Sequence, residues 1–187
     1  MPSHSAFISA FASHPIDVAF ATQDRDETII LFLRKHPITN IGWILFSLLL
    51  TISPIVFFPL IDAYNLMPFT FPESYSFIFS LFWYLGTFAY ILFKFVFWYY
   101  NVNIVTDKRI VDIDFIYLLY NEMTATTISK IEDVTSKVGG FFRSIFDYGN
   151  ILVQTAGEEP NIEFLGVPHP SQIVKIINEL MGKVNSE

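Results

Sequence analysis

The chain has 187 residues, no cysteine and a net charge of −7. The missing cysteines exclude disulfides, thiolate metal sites and a cysteine nucleophile. The acidic balance argues against nucleic acid as a partner, because binding it rests on Lys and Arg neutralising phosphates.

Hydrophobic residues make up 52% of the chain and aromatics 18%, and they are segregated. Residues 1–33 come first. Met1–Gln23 has no Lys or Arg ahead of its short apolar patches, so it does not read as a signal peptide. The stretch 1–33 is expected to be a loosely ordered N-terminal tail, with Phe7–Phe11 docking locally.

Residues 34–100 read as a two-helix transmembrane hairpin. Between Ile38 and Phe93 only Asp62 and Glu73 are charged, a clearance that a soluble core would not keep. The first span, 38–60, is ITNIGWILFSLLLTISPIVFFPL, with fourteen residues drawn from Leu, Ile, Phe and Val. At about 1.5 Å per residue it covers a hydrocarbon core of about 30 Å. Pro54 is expected to kink it, and Pro59 lies near its end. The second span, 75–98, is equally free of central charge. Arg34 and Lys35 precede the first span, while Lys94, Lys108 and Arg109 follow the middle of the second. The connecting loop holds only the two acids, so the positive-inside rule places both termini in the cytoplasm of a multi-pass protein of the cell (inner) membrane. Trp43, Trp98, Tyr99 and Tyr100, with Arg34, Lys35 and Lys94, are the expected membrane-interface anchors. With no charge in the middle of either span, an anchor is expected rather than a channel or transporter.

Residues 101–184 change to period two. NVNIVTDKRIVDIDFIY predicts two strands with a turn at Asp107-Lys108, with Val111, Ile113 and Phe115 on one face and Asp112 and Asp114 on the other. Strands are also expected over Leu119–Ile128, Ile131–Val138, GNILVQTAG and NIEFLGV. FFRSIFDY, at 141–148, reads as a turn or a helical turn that tucks its aromatics under the sheet. Six or seven short strands predict an antiparallel barrel or sandwich. In HPSQIVKIINELMGKV, Ile173, Ile176, Ile177, Leu180 and Met181 share one helix face; Pro170 suits the start and Gly182 the stop. The open end of a barrel is the expected seat for that face.

Four stretches carry a family resemblance: RKHP before the first span; YYNVNIVTDKRIVDID after the second, with Val105-Thr106 and Arg109-Ile110; ISKIEDVTSKVGGFFRSIFDYGNILVQTAG; and the Pro-initiated last helix. Over about residues 34–182 the chain resembles the bacterial pleckstrin-homology-like family of small membrane proteins, departing from it at Asn103, where an aromatic is common. The resemblance implies a transmembrane α-helical hairpin plus an α+β pleckstrin-homology-like small β-barrel or sandwich with a C-terminal capping helix. It implies no catalytic set, since the family shares none. It also points to Lys108 and Arg109, in the first β-turn, as lipid or phosphate contacts, with Lys130, Lys137 and Arg143 as possible additions.

Two observations oppose that last point. Residues 101–187 hold seven Lys and Arg against twelve Asp and Glu, and Lys108 and Arg109 already serve as inner-leaflet flanks. Asp112, Asp114, Glu132 and Asp133 read as a solvated strand face. His4, His14, His36 and His169 have no metal-ligand spacing, and His36 and His169 suit capping or packing. The expected function is therefore that of a non-enzymatic, membrane-anchored module without metal or cofactor. Its partners are the lipid bilayer and a protein or a second copy of itself, with binding of anionic headgroups, or a membrane-stress role, as the alternative.

Overall fold

The computed structural model describes residues 9–15, 18–64, 73–117, 120–157 and 160–184. They form two compact units, one built from residues 1–39 and 97–187, the other from 40–96.

The helical unit contains α1 (Ile41–Tyr64) and most of α2 (Glu73–Tyr100). Both are long and apolar enough to cross a membrane. Their burial is the reverse of a soluble helix pair. Ser47, Pro54 and Thr87 are buried together with one large apolar side chain, Ile61, while Leu45, Leu49, Ile55, Phe82 and Leu85 face outward. Small and polar groups at the helix contact with large apolar groups outside is the pattern that lipid favours. Ser47 Oγ donates to the Trp43 carbonyl at 2.7 Å and Thr87 Oγ1 to that of Trp83 at 2.9 Å, so both hydroxyls are satisfied within their own helix.

Pro54 has no N–H, which frees the Leu50 carbonyl one turn earlier. That carbonyl accepts from the Trp83 indole at 2.8 Å and from Ser53 Oγ at 2.9 Å, so the proline creates an acceptor through which α2 grips α1. Trp83→Phe keeps the ring and removes the donor. It is expected to weaken the helix contact by about 0.5–1 kcal/mol, read as a lower midpoint when the protein is titrated with SDS in mixed micelles. An unchanged midpoint would show the bond to be idle.

The strand-bearing unit has β1 (Phe11–Ser13), β2 (Ile29–Arg34), β3 (Val102–Thr106), β4 (Arg109–Tyr117) and β5 (Tyr120–Thr127) in one antiparallel sheet, in chain order. A second sheet holds β6 (Ile131–Lys137), β7 (Tyr148–Thr155) and β8 (Ile162–Pro168), also antiparallel. A five-residue helix, α3 (Phe141–Ile145), joins β6 to β7, and α4 (Pro170–Val184) closes the chain. Leu31, Leu33, Val105 and Ile110 from the first sheet share one core with Ile151, Val153, Phe164 and Val167 from the second and with Ile173 and Ile177 of α4. A smaller cluster on the other side of the first sheet gathers Ala12, Phe32, Ile104 and Val111 against Val18 and Phe20.

Four expectations change. First, the stretch 1–33 is not a loose tail throughout: β2 lies between β1 and β3 with Leu31 and Leu33 wholly buried, and Phe11 opens β1; Phe7 is outside the described residues. The expected division at residue 34 therefore cuts a strand. Second, of the two expected forms, barrel and sandwich, only the barrel is absent: the described strands form two sheets and no closed barrel. The chain changes sheet at the 3-10 turn Ile128–Lys130, where Ile128 is buried in the core. Third, α4 lays its stripe on β6, β7 and that turn rather than on a barrel mouth, and it runs past Gly182 to Val184. Fourth, Phe141, Phe142, Ile145 and Phe146 stand exposed instead of lying under the sheet.

The predicted turn at Asp107-Lys108 sits between β3 and β4. Gly149 marks a close approach. A Cβ there would meet the Lys137 carbonyl at 2.8 Å and Pro170 Cγ at 3.2 Å, so only glycine lets β6, β7 and the start of α4 come together.

Candidate functional site

The β3–β4 turn is built around Thr106. Its Oγ1 accepts from the backbone N–H of Arg109 at 2.9 Å and of Lys108 at 3.2 Å, and lies 2.8 Å from Glu27 Oε1. The Glu27 side chain is wholly buried and takes a two-pronged contact from Arg109, Nε to Oε1 and Nη2 to Oε2, both at 2.9 Å. The Asp24 N–H donates to Oε2 at 3.0 Å. Arg109 also reaches the Thr22 carbonyl and lies over the Phe20 ring, 5.6 Å from its centre. Lys108 Nζ pairs with Asp26 Oδ2 at 2.6 Å in solvent. Thr28 and Asp107 exchange two further bonds across the gap, Thr28 N–H to Asp107 Oδ1 at 2.9 Å and Asp107 N–H to the Thr28 carbonyl at 3.1 Å.

The electrostatics follow. Burial pushes the Glu27 carboxyl up, but the Arg109 guanidinium, the Asp24 N–H and the Thr106 hydroxyl outweigh it and hold the group below the ordinary carboxylate range. The hydrogen bond from Lys108 lowers Asp26, and the same bond raises Lys108. Glu27 in turn raises Arg109. The structure thus brings Lys108 and Arg109 into one turn, as the sequence suggests, but meets both with carboxylates of the 24–27 segment. A phosphate there would have to displace the buried Glu27 carboxylate from a two-pronged partner. Nothing in the sequence pattern links Glu27 to Arg109, which stand 82 positions apart.

The predicted interface anchors divide between the two units. Arg34 is buried at the end of β2, its guanidinium between the rings of Phe32 and Tyr99 at 4.9 and 4.3 Å, and its Nε donates to the Tyr99 carbonyl at 2.9 Å. The Trp98 indole donates to the Lys35 carbonyl at 2.8 Å, and Tyr100 lies against Phe115. Arg34, Lys35, Trp98 and Tyr99 therefore lace the chain's exit from β2 to its return into β3. Trp43 and Lys94 belong to the helical unit. The Trp43 indole donates to Asn40 Oδ1 at 3.0 Å, and Lys94 lies over the Tyr90 ring at 5.8 Å. Of the acids read as a solvated face, Asp112 accepts from the Asn103 amide across the strands, while Glu132 and Asp133 are exposed.

A third cluster was not visible in the sequence. The His36 ring stacks on Tyr148 with ring centres 5.5 Å apart, and the His36 backbone N–H donates to the Gly166 carbonyl at 2.7 Å. His36 Nδ1 accepts from the Ile38 N–H at 3.2 Å, which favours the neutral ring. Burial pushes its pKa down, His169 adds to that, and Asp147 opposes it. His169 Nδ1 pairs with Asp147 Oδ2, and the His169 N–H donates to the Asp147 carbonyl. Both residues hold left-handed backbone, with φ of +50° and +47°. The His169 carbonyl also accepts from the N–H groups of Gln172 and Ile173, so it starts α4. The cluster ties the α3–β7 turn to the α4 start and to the last residues before α1. Among the described residues no group of three or more His, Cys, Asp or Glu is arranged to hold a metal ion.

No family model, curated protein or solved structure matches the chain.

Proposed function

We propose that the chain is a non-enzymatic, membrane-anchored module whose β domain, pleckstrin-homology-like in kind, holds a protein partner or a second copy of itself at the inner face of the cell membrane. The register of β2 on β3 carries the reading. Arg34 pairs with Val102, so the chain leaves the sheet for the two apolar helices and returns in the neighbouring antiparallel strand. Adjacent exit and entry support an even number of membrane crossings, with both termini on one side. The basic residues Arg34, Lys35, Lys108 and Arg109 support the cytoplasm as that side. The binding surface is the open edge of β5, beyond which no described strand pairs. Such an edge offers backbone donors and acceptors to an added strand.

Crosslinking in native membranes tests this. Discrete bands above the monomer are expected, and they should fade in a Met123→Lys/Ala125→Lys variant, which places two charges on exposed positions of β5. Monomer alone, or bands indifferent to those charges, would remove the β5 reading.

A further inference from the structure

We infer that α3 and its flanks form a second membrane contact, a wedge whose Phe141, Phe142, Ile145 and Phe146 side chains enter the headgroup–acyl boundary of the same bilayer. The inference rests on the proposed membrane placement of α1 and α2. Four large apolar side chains stand within six residues, exposed at 75, 69, 58 and 43%. Val138 adds a fifth, at 41%. A water-soluble surface rarely gathers such a patch without something to cover it.

The occupant follows from position. Tyr148, three residues after α3, stacks on His36, and the His36 N–H is bonded to Gly166. His36 and Thr39 are among the last residues of the strand-bearing unit before α1 begins at Ile41. The wedge is therefore rooted within one ring stack of the place where the chain departs for its first apolar helix. Chain connectivity alone keeps the root of the wedge within a few residues of the lipid that α1 is proposed to enter.

The polar groups agree. Lys137 is exposed, and Arg143 is half-buried on the wedge with its guanidinium 6.0 Å from the centre of the Tyr148 ring. Cations among aromatics suit the phosphate layer. The acid next in sequence, Asp147, is engaged by His169. Gly140, at φ +98°, turns the chain out of β6 into α3.

The absence of cysteine allows single-site labelling of the full chain. Three variants, Phe142→Cys, Leu49→Cys in α1 and Lys175→Cys on the exposed side of α4, would be spin-labelled. Each would then be reconstituted in vesicles of phosphatidylethanolamine and phosphatidylglycerol. Power saturation would compare collisions with oxygen, which concentrates in lipid, and with a water-soluble nickel chelate. The expected result is a label at 142 that oxygen reaches and the chelate does not, a label at 49 deeper still, and a label at 175 open to the chelate. A label at 142 as open to the chelate as that at 175, with 49 still in lipid, overturns the wedge and leaves the anchor standing. A label at 142 shielded from both reagents marks a protein contact instead and also overturns it. A label at 49 open to the chelate removes the anchor, and the wedge with it.

Discussion

A chain in which residues 40–96 are replaced by a flexible linker of about ten residues should fold as a water-soluble β domain, whereas the fragment 101–187 should not fold at all. The first chain retains every residue of the strand-bearing unit. Exchanging one connection for a shorter flexible one changes the closure entropy only slowly with length, and the Arg34–Tyr99 and Trp98–Lys35 bonds survive because all four residues remain. The fragment lacks β2. It loses Leu31 and Leu33, both wholly buried, and Phe32, nearly so. At about 1.5–3 kcal/mol for each side chain removed from water, this is comparable with the 5–15 kcal/mol of net stability that a domain commonly has. Its β3 becomes an unpaired edge with Val105 uncovered, and Glu27 is gone from Arg109. Circular dichroism and amide proton dispersion would distinguish the two chains. A well-dispersed spectrum from 101–187 would show β2 to be dispensable and would restore the serial division of tail, helices and domain.

Glu27→Ala should be the most damaging single substitution outside the apolar core. It strands a partly buried guanidinium and removes the acceptor shared by Arg109, Thr106 and the Asp24 N–H. Breaking a buried pair from one side costs about 3 kcal/mol, or a fall in melting temperature of about 6–12 °C for a chain of this size. Glu27→Leu with Arg109→Met removes both charges together and should cost less than the sum of the single changes.

The pH dependence has a definite sign. The folded pKa of Glu27 lies below its unfolded value, so its contribution is complete above the ordinary carboxylate range and fades as pH falls through the folded value. Glu27→Gln should flatten that part of the stability profile. Asp26→Ala, which removes only the solvent-exposed partner of Lys108, should leave melting unchanged. A Glu27→Ala protein that melts within 2 °C of the parent would mean that water replaces the carboxylate without loss.

The elements legible in the sequence are those with one wet side. β4 beyond Val111 and α4 alternate or repeat because each meets solvent on one face there, and their positions follow from that pattern, whereas β3 is buried from Asn103 to Thr106. β2 shows no alternation. In IILFLR every side chain but Ile30 is buried, because the two hydrophobic clusters cover both faces of the sheet there, and the strand runs directly into RKHP and the first span. Five continuous apolar residues, Ile29–Leu33, beside a longer apolar run carry no period of their own.

The basic turn at Lys108 and Arg109 was legible as a turn and as a pair of cations, but its chemistry was not. The carboxylates that meet it come from residues 26 and 27, and only the tertiary fold brings them there. The aromatics of α3 misled for a related reason. Composition says that phenylalanine is usually buried, whereas its direction is decided by a backbone turn at Gly140.

The placement of the helices between β2 and β3 has a consequence for synthesis at the ribosome. β2 emerges first and must wait while residues 35–101 pass, because its partner β3 does not yet exist. On the proposed topology, a nascent chain that inserts both helices brings Arg34 and Val102 to the same side and the sheet can zip. One that inserts only a single helix strands Leu31 and Leu33 across the bilayer from Val105, with two half-cores bare to proteases. Completion of the sheet would then report, within the molecule, that insertion had succeeded.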